Sequence, residues 1–193
     1  MVFERFFARL NAVVPDRWAL KGALALDLRF AGGARATMDA DIALHGVLTE
    51  PAWLMLRASQ LDLGAFSTFE VRRAGESWGD SPERLARFHI RSFLAGRLFD
   101  EAIVDVVIGA RLPPDLERIT LGMLQFAGLQ AVAVPVVPVE EQVAEKVHAY
   151  TRVYRRGGST RVKDLIDLVM IAGRNSLASP APPAWVPGGV VAR

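Results

Sequence analysis

The sequence predicts a mixed α/β domain in which helices flank a mixed sheet, and three observations support this fold class. The chain has 193 residues, 51% of them hydrophobic, which suffices for one domain with a sizeable core. Segments with period-two alternation predict strands, and segments with three- to four-residue spacing predict helices. The two kinds alternate early in the chain and are followed by a run of strands, which is typical of a mixed sheet covered by helices.

The first elements are predicted in the order helix, strand, helix, strand, helix. MVFERFFARLNAVV predicts an amphipathic helix rather than a signal peptide, since charged residues interrupt its apolar run. RWALKG predicts a short strand ending at Gly22, ALALDLRF a helix, and EPAWLMLRASQLDL a helix that begins near Pro51. Between these helices TMDADIAL predicts a half-buried strand, with Met38, Ala40, Ile42 and Leu44 on one face and Asp39, Asp41 and Ala43 on the other.

Three further strands are predicted in the middle of the chain, FSTFEVRRA, ARFHIRSFL and EAIVDVVIG, with turn-rich GESWGDSPE between the first two. The segment 119–139 carries no formal charge and is long enough to suggest a membrane span. Because glycines, glutamines and prolines interrupt it, we interpret it instead as containing a buried strand, LQAVAVPVV.

Two helices are predicted after the sheet, VEEQVAEKVHAYTRVY and RVKDLIDLVMIAG, and a proline-rich segment without periodicity follows them. We therefore expect a core over residues 1–137, a helical segment packed on it over residues 138–175, and a disordered tail over residues 176–193.

The composition excludes several kinds of site. The chain has no cysteine, so disulfides, zinc ribbons and thiol nucleophiles are excluded, and a cytoplasmic location is expected. Its three histidines are scattered along the sequence and do not predict a histidine metal site. The formal net charge is only +2, so any nucleic acid would have to be held by a local basic patch.

The two aspartates of TMDADIAL are the strongest candidates for chemistry. On a strand, Asp39 and Asp41 point to the same side about 6.6 Å apart, and paired carboxylates of this kind suit Mg²⁺. Asp105 lies in the apolar segment AIVDVVIG and would complete a cluster of three carboxylates if its strand were a neighbour. The alternative is that these aspartates face solvent or cap turns.

Residues near the aspartates could bind phosphate. The turn at Gly22 could offer backbone N–H groups, and Lys21, Arg35 and Thr37 could reach phosphate oxygens, although an ordinary turn also explains the glycine. Lysine is rare, with three lysines against twenty arginines, and Lys146 could place a compact charge on a triphosphate. A surface lysine explains it equally.

The last two helices and their connection carry further charges. Asp164 and Asp167 are one helical turn apart and face one side of their helix, and a solvated helix face explains them just as simply. The run RVYRRGGSTRVK could grip an RNA backbone, or it could be a solvated helix end. Its cations are Arg152, Arg155, Arg156, Arg161 and Lys163.

Taken in order, LKGALALDLRFAGGARATMDADIAL, VDVVIG, EEQVAEKVHAYTR and RVKDLIDL resemble the motifs of AbiEii/AbiGii-type nucleotidyltransferase toxins, a branch of the polymerase-beta-like nucleotidyltransferases. The resemblance implies a polymerase-beta-like core and a toxin of a toxin–antitoxin or phage-defence pair. Such a toxin uses Mg²⁺ and a nucleoside triphosphate to transfer a nucleotide to RNA, in several members to the 3′ end of tRNA. A cognate antitoxin would be its partner.

The resemblance also implies roles for residues of this chain. Gly22 matches the glycine turn, with Lys21, Arg35 and Thr37 as further nucleotide-binding residues. Asp39 and Asp41 match the metal-binding and catalytic D-x-D, and Asp105 fits the third metal ligand of the wider superfamily. Lys146 and Asp164 match the catalytic residues of the last two motifs.

Two other functions stay open at this point. Ala23 stands where the family commonly has a glycine or a small polar residue, and the chain ends in a proline-rich segment. A catalytically impaired RNA- or partner-binding module would fit these departures. A metal-dependent nuclease would also use clustered carboxylates, but its usual E-x-K companion is not found after the second acid.

Overall fold

The computed structural model describes residues 2–30, 37–46, 50–64, 66–78, 84–151 and 162–174. The chain divides into two compact units, Met1–Val137 and Pro138–Arg193. The expected disordered tail and most of the predicted basic run lie outside the described residues. Within the described residues, no helix is both long and apolar enough to cross a membrane.

The described residues of the first unit form three helices and a seven-stranded mixed sheet, which confirms the predicted fold class. Its elements are α1 (Val2–Val13), β1 (Trp18–Lys21), α2 (Gly22–Arg29), β2 (Asp39–Leu44), α3 (Pro51–Gln60), β3 (Ser67–Trp78), β4 (Arg84–Leu94), β5 (Arg97–Ile108), β6 (Glu117–Leu121) and β7 (Val132–Val136), with a short 3-10 turn at Gln125–Ala127. The second unit contains α4 (Val139–Thr151) and α5 (Val162–Gly173).

The strand order of the sheet is β3-β4-β5-β2-β1-β7-β6. The pairs β2 with β5 and β1 with β7 are parallel, and the other four pairs are antiparallel. Strand β2, which carries the two aspartates, therefore lies in the middle of the sheet between β1 and β5. A central strand has hydrogen-bonded neighbours on both sides, so its register, and with it the direction of each side chain, is firmly fixed.

Helix α1 packs on the apolar face of the sheet through aromatic contacts. The Phe7 ring lies 5.3 Å from the Trp18 ring, and the Phe6 ring meets Phe69 edge-on at 5.5 Å. Each fully buried side chain of this size contributes about 1.5–3 kcal/mol relative to exposure. The guanidinium of Arg9, also buried, donates hydrogen bonds to the carbonyls of Leu61 (2.9 Å) and Ser67 (2.7 Å), which ties α1 to the first residue of β3 and to the segment before it.

The structure corrects three details of the predicted elements. Met38 precedes β2 and is 63% exposed rather than part of its apolar face, whereas Ala43 on the aspartate face is buried. Strand β3 continues to Trp78 through residues that were predicted to form a turn, because β4 pairs with it over that whole length. Strand β6 was not predicted; it pairs with β7 at the edge of the sheet.

Candidate active site

Asp39 and Asp41 lie on the same face of β2, at the end where the strand begins. Asp39 is exposed, Asp41 is half-buried, and the residues that alternate with them, Ala40 and Ile42, belong to the core. The alternation thus places apolar side chains in the core and both carboxylates on the opposite side of the sheet. At the start of β2, the backbone N–H of Asp39 donates a hydrogen bond to the Thr37 hydroxyl at 3.2 Å. Thr37 therefore fixes the backbone of the first aspartate.

The turn from β1 to α2 brings Gly22 against Asp41. Gly22 has a φ of +72°, and a Cβ built on it would lie 2.9 Å from Cγ of Asp41 and closer still to Oδ2. Only glycine fits both requirements, a left-handed backbone and the adjoining carboxylate. Lys21 is the register partner of Asp41 across β1 and β2, and it is also the N-cap residue of α2. A lysine side chain cannot accept a hydrogen bond, so it does not cap the first N–H groups of the helix.

Asp105 is the register partner of Asp41 on the other side, across the parallel pair of β2 and β5. It does not stand as an unpaired third carboxylate. Arg87 of β4 donates from Nε to Oδ1 of Asp105 at 2.7 Å and from Nη2 to Oδ2 at 2.6 Å. The Asp105 side chain is 11% exposed and that of Arg87 is 51% exposed, so a buried carboxylate is held by a half-exposed guanidinium.

Four register partners thus form a row of charged residues across the sheet, which we call the charged row: Lys21, Asp41, Asp105 and Arg87 on β1, β2, β5 and β4. Directly paired residues project from the same face of a sheet. The pKa of Arg87 is raised above its ordinary value, first by the hydrogen bond with Asp105 and then by its charge; burial opposes this, and the charges of Asp39 and Asp41 raise the pKa further. Arg87 therefore interacts electrostatically with all three carboxylates.

In the second unit, the ammonium of Lys146 on α4 is held by two carboxylates of α5. Its Nζ lies 3.0 Å from Oδ1 of Asp164 and 2.7 Å from Oδ2 of Asp167. Asp167 is buried, with its side chain only 3% exposed. Burial is the largest single influence and lowers the pKa of Lys146, but the hydrogen bonds and charges of Asp167 and Asp164 together raise it above the ordinary value. The Lys146 ammonium is therefore charged, and both carboxylates that bond it belong to the same unit.

The remaining predicted residues are only partly described. Lys163 lies in the first turn of α5 and is exposed. The other predicted phosphate- and RNA-binding cations lie outside the described residues: Arg35, Arg152, Arg155, Arg156 and Arg161. Their proposed contacts stay predictions.

The donor set can be compared with what a divalent cation requires. In the part of the chain that the structure describes, no three carboxylates or histidines converge as a ready metal site. Mg²⁺, however, is commonly held by one or two carboxylates together with water and substrate phosphates. Asp39 and Asp41, hard oxygen donors on one face beside an exposed strand end, fit that requirement.

Arg87 is the residue that the sequence interpretation missed. In ARFHIRSFL the apolar residues Ala86, Phe88 and Ile90 are buried, and the residues between them project from the aspartate face. The alternation was a usable signal that Arg87, His89 and Arg91 share that face. Nothing local, however, predicts that Arg87 pairs with Asp105, because the register between β4 and β5 decides it.

Comparison with known proteins assigns the chain to a family. A search of curated proteins found no match. The profile of the family described as the nucleotidyl transferase AbiEii toxin of a type IV toxin–antitoxin system matches residues 5–183. This range includes the charged row, the D-x-D of β2 and the group of Lys146, Asp164 and Asp167, which we call the Lys146 cluster. The chain belongs to the AbiEii nucleotidyl transferase toxins.

Proposed function

We propose that this protein transfers a nucleotide from a nucleoside triphosphate to an RNA acceptor, the 3′ end of tRNA being the expected one, with Mg²⁺ as its metal. The observation that carries the proposal is the placement of the Asp41 carboxylate against the Gly22 turn, with Asp39 on the same face of β2. A pair of carboxylates beside a turn whose N–H groups open a helix is an arrangement suited to a phosphate chain and its cation.

The chain's own residues supply binding and orientation. The N-terminus of α2 at Gly22 presents backbone N–H groups and the positive end of the helix dipole, both of which favour a phosphate. Lys21 adds a positive charge at the same turn. Thr37 holds the backbone of Asp39 through the hydrogen bond to its hydroxyl, and its predicted contact with a phosphate is part of the proposal. A phosphate contact by Arg35 remains a proposal from the sequence.

Asp39 and Asp41 would hold the Mg²⁺ ion. Bound there, the ion would neutralise phosphate charge and lower the pKa of an attacking hydroxyl. The two carboxylates would otherwise repel each other and the incoming triphosphate. A cation between carboxylates and phosphates removes both repulsions.

We also propose a part in the reaction for Lys146 and Asp164. Within the second unit, the bonds to Asp164 and Asp167 fix the position of the Lys146 ammonium and keep it charged. A charge held in place in advance costs no reorganisation when phosphate charge develops. We propose that Asp164 assists either by activating the acceptor or by orienting Lys146, and the 3.0 Å bond between the two residues supports the second role.

A transfer assay tests the function. Purified full-length protein is incubated with Mg²⁺, total tRNA and each of the four α-³²P-labelled nucleoside triphosphates in turn. We expect label on the RNA with one preferred nucleotide, and none when EDTA is added. Shortened RNA in the absence of nucleotide would instead identify a nuclease, and salt-dependent RNA binding without labelling would identify a non-catalytic binding module.

The toxin role needs a cellular measurement. Expression of the wild-type protein should arrest growth, and co-expression of a cognate antitoxin, expected as its partner, should restore it. Growth arrest by a chain that transfers no label would separate toxicity from nucleotide transfer and contradict the proposal.

A further inference from the structure

The guanidinium of Arg87 has unused donors on the face that carries the aspartates. An arginine has five N–H groups, and Asp105 takes the one on Nε and one of the two on Nη2. Within the described residues, no other acceptor bonds to the guanidinium of Arg87. The two N–H groups of Nη1 and the second of Nη2 therefore form an open edge, and the side chain is 51% exposed.

This open edge has the geometry for a phosphate. The Nη1 and Nη2 groups of a guanidinium present two parallel N–H bonds, which match two oxygens of one phosphate. The use of Nε and Nη2 by Asp105 leaves that second fork intact and fixes the plane of the guanidinium. Asp105 thus fixes the direction in which the remaining N–H groups of Nη1 and Nη2 point.

The position of Arg87 relates it to the D-x-D. It belongs to the charged row with Asp41, and the charges of both Asp39 and Asp41 act on it. A triphosphate whose cation is held by those two carboxylates would place its phosphates on the same face of the sheet. The positive Arg87 and Lys21 lie at the two ends of the row, with the carboxylates between them.

We propose that Arg87 binds a phosphate of the nucleoside triphosphate through its Nη1 and Nη2 groups, and that Asp105 is a positioning residue for Arg87 rather than a ligand of the cation. This inference rests on the proposed nucleotidyltransferase function and assigns one of its substrate contacts. It differs from the role that the resemblance implied for Asp105. Both oxygens of Asp105 already accept a charge-assisted hydrogen bond from Arg87, and the guanidinium offsets the negative charge that would attract a cation to this carboxylate.

Two binding measurements on the full chain separate the alternatives. Mn²⁺ binding without nucleotide is followed by electron paramagnetic resonance, as a probe of the cation site. Each of the four nucleoside triphosphates is then titrated calorimetrically in the presence of Mg²⁺, and the tightest is used for the variants. The variants are Arg87→Gln, Arg87→Lys and Asp105→Asn. Arg91→Gln is the matched control, since Arg91 is a half-exposed arginine of β4 that bonds Glu70 and Glu101.

The proposal predicts that the variants lose affinity for the nucleotide but not for Mn²⁺. Arg87→Gln and Asp105→Asn each weaken nucleotide binding about tenfold or more, the loss expected for a charged hydrogen bond, and leave Mn²⁺ affinity within about twofold. The double variant Arg87→Gln/Asp105→Asn binds nucleotide no more weakly than Arg87→Gln alone, because the two residues act as one unit. Arg91→Gln binds both probes as the wild type does.

Other results overturn the inference. Loss of Mn²⁺ binding in Asp105→Asn, with nucleotide binding retained in Arg87→Gln, would make Asp105 a metal ligand. Wild-type affinity for both Mn²⁺ and nucleotide in Arg87→Gln would show that Arg87 contacts neither of them. If Arg87→Gln lowers the melting temperature of the protein, Arg87→Lys is the variant to compare, because it keeps a positive charge beside Asp105 but lacks the planar fork. Wild-type nucleotide affinity in Arg87→Lys would contradict the proposal. If the wild type itself binds none of the four nucleotides, the proposed function fails with it.

Discussion

The Asp41 carboxylate occupies the space in which a side chain on Gly22 would begin. The strand β1 ends one residue earlier, and α2 starts at the glycine itself, with φ at +72°. The strand-to-helix turn and the second acid of the D-x-D are therefore packed against each other. A substitution at either residue should therefore displace the other.

Gly22→Ala is expected to abolish nucleotide transfer. An alanine would meet the left-handed backbone penalty of about 1–2 kcal/mol and would also push the Asp41 carboxylate aside. Gly96→Ala is the matched control, because Gly96 has a similar φ of +78° and no atom lies within 4 Å of a Cβ built there. Urea unfolding and label transfer are measured for both. The free energy of unfolding of the control should fall by about 1 kcal/mol, and its activity should be kept. Equal activity in both variants would contradict the close packing of Gly22 against Asp41.

Lys146→Met is expected to destabilise the pairing of α4 and α5. It removes the cation from the buried Asp167 carboxylate, and loss of one partner of a buried pair costs about 3 kcal/mol. Hydrogen exchange of the α4 and α5 amides measures the local free energy. Arg91→Met, which breaks an exposed pair with Glu70 and Glu101, should change the protection of β4 by less than about 1 kcal/mol. Similar losses in the two variants would argue against a special role for the Lys146 cluster.

The same cluster predicts an alkaline dependence of stability. Folding raises the pKa of Lys146 above its unfolded value of 10.5, so the paired ammonium stabilises the helices fully below pH 10.5. That contribution is lost as the pH rises through the folded pKa. Urea unfolding followed by helical circular dichroism between pH 8 and pH 12 should show the loss in the wild type. Lys146→Arg, whose guanidinium stays charged, should show less of it; identical profiles would exclude Lys146 as the titrating group.

Local periodicity accounts for the parts of the fold that the sequence predicted. In β2 the buried Ala40 and Ile42 alternate with Asp39 and Asp41, and two-residue periodicity is a property of a single strand. The same reasoning located α1, whose apolar spacing reflects the face that packs on the sheet. Both signals are contained in a few consecutive residues.

The parts that were missed depend on pairing between distant segments. Strand β6 is only five residues long, and its pairing with β7 decides its state. Strand β3 runs through glycine-containing sequence because β4 satisfies its backbone hydrogen bonds. The bond between Arg87 and Asp105 depends on the β4–β5 register, which no local pattern encodes. Asp105 was therefore recognised as a candidate while its partner was not.

The most direct measurement of the central claim is nucleotide transfer by Asp39→Asn and Asp41→Asn. Loss of a carboxylate that holds the cation removes several kcal/mol of charge stabilisation, so each rate should fall by about 100-fold or more. Asp115→Asn, which changes an exposed carboxylate between β5 and β6, is the control and should transfer label at the wild-type rate. Wild-type transfer by Asp41→Asn, in protein that unfolds as the wild type does, would contradict the account.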